Sequence, residues 1–389
     1  MEKAENNIGP YEYLYNIESL NNKLVISKHY PKMPTSSLLV KILKIIFTVV
    51  IFVPLVISLI WHILVEHQSS FLSLENLENS IFLSYYITTI IILINFMRMK
   101  TSNFFNNLLN YVKEYKEIYF NSTFVIKRKF TTIRIKLLLL WFILLVSFTY
   151  ELVINVLNYD KNERDGKKYK LSKFYGKETY IVDSMIMLYS RLIIAVMVSI
   201  YICIYEVVSF ESETFEKECK YFIEEDFSNF SNNIDIISKK HVRLFKLITL
   251  SHTTAGTYTD PIVMQCVVTI IMAVPIIRYY FSTISDIIQA INYIIVLISF
   301  ALIMVLHLSS ISNTVKSLRN IKNIILNSPK IWDNGNSKVR ETALSIISRT
   351  EHCDYHGKII QLIPLDDKTI PILLIIIHIV AFLAGVATV

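Results

Sequence analysis

The sequence predicts an all-α integral membrane protein with seven transmembrane helices, a cytosolic N-terminus and an extracellular C-terminus. The chain has 389 residues, of which 53% are apolar and only 18% are charged, and its mean hydropathy is +0.45. A soluble protein of this length carries more charge. Only seven glycines occur, whereas turn-rich β architectures depend on many. Long helices are therefore favoured.

Seven apolar stretches are long enough to cross a bilayer, which takes about 20 residues in a helix. They also define the predicted domains: a cytosolic segment at 1–37, six spans with their connections at 38–312, a cytosolic connection at 313–368 and a last span at 369–389. The predicted spans are Leu38–Val65, Ser80–Met97, Ile133–Leu157, Ile181–Phe210, Ile262–Ile284, Ile291–Ser312 and Thr369–Val389.

The orientation follows from the lysines and arginines between the spans, because cytosolic loops carry the excess of these residues. The connections 66–79 and 285–290 contain none, whereas 98–136 and 314–368 contain nine each. The connection 159–180 has seven, although alternation places it outside. The other loops together place the N-terminus inside, and the only glycosylation sequons, at Asn121 and Asn229, then stay unmodified in the cytosol.

Several function classes are disfavoured by the motifs and by the placement of charge. The net charge of +7 comes from basic residues at the ends of apolar runs, so it indicates membrane orientation and no nucleic-acid partner. The four cysteines have no Cys-x-x-Cys spacing, so no metal site is expected. No Gly-rich phosphate loop, His-Glu-x-x-His or Gly-x-Ser-x-Gly occurs. We therefore expect neither an enzyme nor a cofactor.

The connection after the sixth span is predicted to continue as an amphipathic helix. Such a helix either lies on the lipid headgroups or packs with the other cytosolic connections as an oligomerisation domain. The stretch Glu211–Leu250 resembles it, with Lys239 and Lys240 expected on a solvated face, and Asn334-Gly-Asn predicts a turn between two cytosolic helices. The apolar stripe consists of Ile311, Val315, Leu318, Ile321 and Ile325.

The residues 363–372, Ile-Pro-Leu-Asp-Asp-Lys-Thr-Ile-Pro-Ile, resemble the start of the last helix of insect gustatory receptors. The whole chain is similar to that family in length, in N-inside topology and in its large cytosolic connection before the last span. The resemblance implies a plasma-membrane taste receptor that is a ligand-gated, non-selective cation channel. Its implied partners are a small-molecule tastant, permeant cations and further subunits, as a homotetramer or a heteromer with related receptors.

In that family the last helix of each subunit lines a shared pore, ligands enter a pocket in the outer half of the first six spans, and the cytosolic helices anchor the tetramer. This chain departs from the family motif. The usual tyrosine position of the last helix falls near Val380 or Ala381, and the usual glutamine position near Val386 or Ala387. A non-conducting receptor or scaffold of the same fold, and a membrane transporter, therefore remain alternatives.

The last span contains no carboxylate and no basic lysine or arginine, so a hydrophobic constriction that gates by dewetting is the physical option for a pore. The predicted pore stripe follows the helical i, i+4 spacing and combines Ile379 or Val380 with Leu383 and Ala387. The resemblance places the narrowest point near Leu383. An ordinary packing helix is the alternative.

Two carboxylates, Asp366 and Asp367, precede this span at its cytosolic end. Four copies would form an acidic ring that attracts cations to the inner mouth of the pore. They are equally explained as acidic residues that the helix dipole favours at a helix start.

Aromatic and polar residues in the outer halves of the spans predict a ligand pocket, because small-molecule sites have aromatic walls with a few polar atoms. An interfacial aromatic belt is the alternative. Glu151 and Arg191 lie at similar depths, which permits an intramembrane ion pair or a pocket wall. The predicted ligand-binding residues are Tyr85, Tyr86, Phe148, Tyr150, Glu151, Tyr189, Arg191, Tyr279, Tyr280 and Tyr293, with Asn292 beside the last of them.

Overall fold

The protein is described from a computed structural model, which is almost entirely helical. It describes residues 52–60, 63, 74–101, 104–116, 131–164, 177–224, 230–282, 287–333, 335–352, 358–359, 363–364 and 369–387. In chain order the helices are α1 (Leu74–Thr101), α2 (Phe104–Lys116), α3 (Thr131–Arg164), α4 (Lys177–Glu224), α5 (Phe230–Ser282), α6 (Ile287–Leu326), α7 (Pro329–Trp332), α8 (Ser337–His352) and α9 (Thr369–Ala387).

Five of these helices contain stretches long and apolar enough to cross a membrane, and they overlap the second to sixth predicted spans. The helix α9 overlaps the seventh predicted span, and its apolar stretch Pro371–Leu383 is shorter. The first predicted span lies outside the described residues except for the helical positions 52–60 and 63. The five stretches are Ser80–Met99, Thr131–Ile154, Met185–Glu224, Asp260–Phe281 and Ile287–Leu326.

Three of the helices are much longer than a bilayer requires. α4, α5 and α6 contain 48, 53 and 40 residues, and at 1.5 Å per residue even α6 is about 60 Å long. The predicted cytosolic connections are therefore largely direct continuations of spans. α5 contains Pro261 and Pro275, each of which removes a backbone donor from the helical ladder.

Helix α6 lies at the centre of the molecule. It packs extensively on α4 and α5, and it also contacts α3 and α8. Its buried residues run from Ala290 to Ile325, so it is covered along nearly its whole length. By contrast, α9 packs chiefly on α5.

The ends of α4 and α6 and the start of α5 form a second packing unit with α2, α7 and α8, which we call the distal bundle. It comprises residues 104–116, 211–224, 230–250, 311–333 and 335–352. The apolar stripe predicted after the sixth span lies at its centre, and all five residues of the stripe are completely buried within one chain. The interpretation that this helix lies on lipid headgroups is therefore wrong, because no face of the stripe is left for lipid.

Local sequence explains how the helices of the distal bundle end and begin. The indole Nε1 of Trp332 donates hydrogen bonds to the carbonyls of Ile325 and Leu326, at 3.1 and 2.9 Å, and so satisfies acceptors that the end of α6 leaves free. The side-chain oxygen of Asn336 accepts from the backbone N–H of Lys338 at 3.0 Å, which caps the start of α8. The predicted turn at residues 334–336 thus lies between α7 and α8.

Ion pairs connect the helices of the distal bundle. Lys338 of α8 pairs with Asp235 of α5 at 2.9 Å, and Lys322 of α6 with Glu351 of α8 at 2.6 Å. The expectation that Lys240 lies on a solvated face is wrong. Lys240 is only 6% exposed, and its ammonium pairs with the carboxylate of Glu218 on α4.

A small departure from the all-α prediction precedes the last helix. Two short strands, β1 (Lys358–Ile359) and β2 (Ile363–Pro364), pair antiparallel with Ile359 opposite Ile363. β1 contacts α5. The pair therefore holds the chain against α5 just before α9 begins.

Candidate functional site

Four side chains meet between α1, α3, α4 and α6, and we call them the central cluster. Three of them were predicted to bind ligand, and the fourth, Phe300, was not. The guanidinium carbon of Arg191 lies 5.2 Å from the ring centroid of Tyr85 and 5.9 Å from that of Phe148. Tyr85 also contacts the edge of Phe300 at 5.6 Å. Arg191 is only 7% exposed, and cation–π contacts of this kind are strongest where water is excluded.

A second group lies nearer the start of α1 and the end of α5, and we call it the mouth cluster. The hydroxyl of Tyr280 donates a hydrogen bond of 2.7 Å to the Glu78 carboxylate. The Tyr280 ring stacks nearly parallel to that of Tyr293 at 6.0 Å, and it meets Tyr279 edge-on at 5.7 Å. Asn292 immediately precedes Tyr293 on α6. Glu78 and Asn292 are buried, whereas Tyr279 is 52% exposed, so the cluster extends from the core to the surface.

The two clusters are held at a fixed separation by the helices that carry them. Glu78 and Tyr85 are seven residues apart on α1, and Tyr293 and Phe300 are seven residues apart on α6. Seven residues correspond to about 10 Å along a helix axis. Because contacts occur at both levels, α1 and α6 run parallel here, and the clusters lie two helical turns apart.

The remaining predicted pocket residues are distributed around these clusters. Tyr86 is completely buried, and Tyr150 and Tyr189 are half-buried. Glu151 belongs to α3, but its side chain lies outside the described part of the structure, so its predicted pairing with Arg191 stays a prediction. Arg191 instead shows contacts with two aromatic rings.

The Oδ1 of Asn292 and the hydroxyl of Tyr189 are buried polar atoms that make no hydrogen bond in the described structure. A buried polar atom without a hydrogen bond is costly, by about 1–3 kcal/mol. Such atoms are commonly satisfied by a hydrogen bond from a bound water or ligand. A polar ligand group that bonds to either of these two atoms would remove that cost.

The predicted pore helix α9 contacts α5 through one narrow strip. Ile377 and Ala381, four residues apart, are buried at 4% and 1% exposure. Ile379, Val380 and Leu383 of the predicted pore stripe are 53%, 42% and 59% exposed. The stripe thus lies on the part of α9 that its own chain leaves uncovered.

Several of the other predicted pore residues lie outside the described part of the structure. Ala387 ends α9, but its side chain lies outside the described residues, as do Asp366 and Asp367. His378 is exposed, and its Nδ1 lies 2.7 Å from the carbonyl oxygen of Leu374. The imidazole is therefore held against its own helix.

Two residues of the clusters were missed from the sequence. Glu78 precedes an apolar run, where an acidic residue resembles a loop charge, and only the tertiary contact with Tyr280 identifies it. Phe300 lies within an apolar run without any polar neighbour to single it out. Within the described residues, no group of three or more histidine, cysteine, aspartate or glutamate side chains could hold a metal ion.

A buried polar network, also not predicted, joins α3, α4 and α6 between the central cluster and the distal bundle. The Lys136 ammonium pairs with the Glu206 carboxylate and donates hydrogen bonds to Ser309 and Ser310, at 2.8 and 3.1 Å. One turn away, His307 stacks on Tyr201 at 3.6 Å. The described structure gives its ring nitrogens no hydrogen-bond partner.

A family model described as "Caenorhabditis protein of unknown function, DUF267" matches residues 8–380 of the chain. No curated protein matches the chain.

Two solved structures of the insect olfactory receptor OR5 from Machilis hrabei are similar to the chain along its whole length. The complex with eugenol has a TM-score of 0.70 at 13% identity and covers 98% of this chain and 99% of that chain. A second OR5 structure has a TM-score of 0.63 at 12% identity, with 97% and 99% covered. The chain therefore has an insect chemoreceptor fold. This supports the predicted resemblance as to fold, without showing the gustatory family itself.

Proposed function

The chain belongs to the family described as Caenorhabditis protein of unknown function, DUF267, and from its likeness to an insect olfactory receptor we propose that it is a ligand-gated, non-selective cation channel for chemoreception. The observation that carries the proposal is the uncovered apolar face of α9. In a chain similar to a receptor fold over 98% of its length, the last helix exposes the apolar residues Ile379, Val380 and Leu383. A pore shared between subunits gives that face a use.

In the proposed assembly four copies place α9 around a common axis in the plasma membrane. The N-terminus and the distal bundle lie in the cytosol, where the bundle anchors the tetramer. Leu383 and Ile379 or Val380, with Ala387, then line an apolar constriction that closes by dewetting. Asp366 and Asp367 from each copy attract cations to the inner mouth.

The ligand of the proposed channel is a small-molecule tastant that binds at the central and mouth clusters. Support comes from the buried aromatic walls, from the unsatisfied polar atoms of Asn292 and Tyr189, and from the fact that OR5 has been solved with a small molecule, eugenol. Helices α4 and α6 run without interruption from these clusters to the distal bundle. A conformational change on ligand binding can therefore be transmitted along them to the bundle.

The test is whole-cell current in cells that express this chain alone, under a panel of amines, alcohols, sugars and plant alkaloids. We expect a ligand-evoked current with a reversal potential close to zero, as a channel that passes sodium and potassium alike produces. Leu383→Ala widens the proposed constriction, so it should raise the resting current or shift the ligand dose that opens the channel.

Leu138→Ala is the matched control, because Leu138 on α3 is 71% exposed and lies far along the chain from α9. It should leave the current unchanged. Equal effects of the two variants would remove α9 from the pore. Surface-expressed protein that gives no current, alone or with related receptors, would favour a non-conducting receptor or scaffold, and substrate accumulation without an ohmic current would favour a transporter.

A further inference from the structure

Four polar side chains join the start of α3 to α4 and α6, within the apolar stretches of these helices. The Lys136 ammonium of α3 pairs with the Glu206 carboxylate of α4 and donates hydrogen bonds to Ser309 and Ser310 of α6. The Ser310 hydroxyl donates to the same carboxylate. We propose that this contact, which we call the latch, fixes the start of α3 in the resting state of the channel and breaks when the channel opens. It rests on the proposed function, which supplies those two states.

Helix α3 packs on its own subunit mainly through one side. Its partners are chiefly α4 and α6, and 18% of its apolar stretch is buried, against 44% or more in the other four such stretches. The other side exposes Ile135, Leu138 and Phe142 at 59%, 71% and 64%, and these residues recur at the spacing of one helix face. The start of α3 can therefore shift away from α4 and α6 without meeting another described helix of its subunit.

Helix α3 contacts α4 at a second level, in the central cluster. The ring centroid of Phe148 on α3 lies 5.9 Å from the guanidinium carbon of Arg191 on α4. Phe148 is 12 residues from Lys136, which corresponds to about 18 Å along the helix. A ligand that displaces Phe148 changes the tilt of α3, and so it changes the distance between Lys136 and Glu206.

The polar chemistry of the latch makes it a contact that is either formed or lost. A hydrogen bond needs its two heavy atoms within about 3.2 Å, so a shift of a few ångströms breaks it, whereas apolar side chains remain in contact as they slide. For stability alone, apolar residues of similar volume are often as good as a buried ion pair. The polar contact adds a defined position of α3, and its loss separates two discrete arrangements.

His307 supplies an independent observation that a second arrangement lies close in free energy. It precedes Ser310 by three residues, which places both on one face of α6. It is completely buried and stacks on Tyr201 at 3.6 Å, yet neither ring nitrogen makes a hydrogen bond in the described structure. Buried polar atoms without hydrogen bonds are costly. Water that enters when α3 shifts would bond to these nitrogens, and this gain offsets part of the loss of the latch.

The first measurement follows the start of α3 without any ligand. The purified full-length chain in lipid nanodiscs carries spin labels at Thr132→Cys and Lys246→Cys, both exposed positions on α3 and α5, with Cys353→Ser to remove a further thiol. Co-expression with an excess of copies that lack the two added cysteines keeps the measured pairs within one chain. Pulsed electron paramagnetic resonance gives the distribution of distances between the labels, which should be single and narrow with the latch intact. The other native cysteines are buried: Cys203, Cys219 and Cys266.

The latch-free variant is Lys136→Met with Glu206→Leu. It leaves no isolated charge, so its Tm should change little, whereas its distance distribution should broaden or shift by several ångströms. Lys322→Met with Glu351→Leu is the matched control, because it removes a more exposed ion pair between α6 and α8. The control should leave the distribution unchanged.

Three further variants separate the charge contact from packing. The reversed pair, Lys136→Glu with Glu206→Lys, has the same combined length, and a serine hydroxyl both donates and accepts, so it should restore the narrow distribution. Ser310→Ala keeps both charges and should give a smaller shift in the same direction as the latch-free variant. His307→Leu removes the two nitrogens without hydrogen bonds, so its addition to the latch-free variant should narrow the distribution again.

Whole-cell current gives the second readout. The latch-free variant should raise the resting current or lower the ligand concentration for half-maximal current several-fold, because a weakened resting state shifts the population towards the open state. His307→Leu alone should do the reverse.

A narrow, unchanged distance distribution in the latch-free variant would overturn the inference. So would a broad distribution in a reversed pair whose Tm matches that of the parent protein. The two proposals fail separately. A displaced α3 in a protein that gives no current leaves the latch as a contact that positions α3 and removes the channel. A ligand-evoked current with an unmoved α3 keeps the channel and removes the latch.

Discussion

His241 of α5 shows how one buried side chain makes the distal bundle sensitive to acid. It is completely buried beside the rings of Phe215 and Phe245, and its Nε2 lies 3.3 Å from the Thr350 hydroxyl. Burial, with a smaller effect of the Arg349 charge, lowers the pKa of His241 from 6.5 to about 3. The native state therefore keeps this imidazole neutral.

The sign of the pH effect follows from that lowered pKa. Above pH 6.5 neither state binds the proton, and His241 costs nothing. As the pH falls from 6.5 towards 3 only the unfolded chain takes up the proton, so stability is lost by up to about 1.4 kcal/mol per pH unit. His241→Gln should therefore show a smaller fall in Tm between about pH 6 and pH 4 than the parent protein does.

The control for this prediction is His352→Gln, at the exposed end of α8, which should keep the parent's pH dependence. If the His241→Gln and parent curves run parallel, His241 takes up its proton in the folded state, and the assignment of the acid sensitivity to its burial is wrong.

The ion pair of Lys136 and Glu206 is largely shielded from solvent, so each charge requires its partner. Its side chains are 15% and 11% exposed. Lys136→Met leaves the Glu206 charge without its cation and should cost about 3–5 kcal/mol of unfolding free energy. Lys322→Met breaks a pair whose side chains are 27% and 44% exposed, and it should cost about 1 kcal/mol or less.

Denaturant unfolding in mild detergent measures both changes. A double variant, Lys136→Met with Glu206→Leu, should recover a large part of the loss, because it removes the isolated charge. If the two lysine variants cost the same, or the double variant recovers nothing, packing of the lysine stem and not the charge determines the effect.

At the scale of the elements, the apolar stripe of α6 belongs to the protein core, whereas part of α8 lies at the surface. Leu318 is completely buried, whereas Leu344 of α8 is 53% exposed. Leu318→Ala should destabilise the protein by about 2–5 kcal/mol, since it leaves a cavity in a packed core. Leu344→Ala should change stability by about 0.5 kcal/mol or less. Thermal unfolding compares the pair, and similar values would mean that the stripe is not part of the stabilising core.

The elements differ in how far sequence alone predicts them. Apolar runs near 20 residues predicted spans that overlap the long apolar helices α1, α3, α4, α5 and α6, because burial in lipid or protein needs a continuous apolar surface. The i, i+3/i+4 spacing from Ile311 to Ile325 predicted an apolar face, but periodicity does not tell whether lipid or protein covers it. The contact of Tyr280 with Glu78 joins residues 202 positions apart, and no local pattern encodes such a pair.

The candidate site was predictable in part for the same reason. Tyrosines near span ends stand out in an apolar chain, and Tyr85, Tyr280 and Tyr293 do take part in clusters. Phe148 and Arg191 meet Tyr85 only because α1, α3 and α4 pack at one depth. Glu78 and Phe300 have ordinary local surroundings, so their roles emerge only from the tertiary structure.

At the scale of the whole molecule, the proposed orientation can be tested directly. An epitope tag at the N-terminus should be accessible to antibody only after permeabilisation, whereas a tag at the C-terminus should be accessible in intact cells. Asn121 and Asn229 should remain unglycosylated, because the distribution of lysine and arginine predicts that their connections lie on the cytosolic side. An N-terminal tag accessible in intact cells, or sugar on either asparagine, would reverse the orientation.

The narrow attachment of α9 also has a consequence for how such a chain can diverge. Within its own subunit α9 packs through the strip that contains Leu373, Leu374, Ile377 and Ala381, so substitutions on the remaining circumference should leave the subunit's folding intact. Substitutions at Ile379 or Leu383 can therefore accumulate during evolution with little effect on the folding of the rest of the chain. A last helix without the tyrosine and glutamine of insect gustatory receptors is compatible with such freedom, and the proposed pore can then vary independently of the proposed ligand pocket.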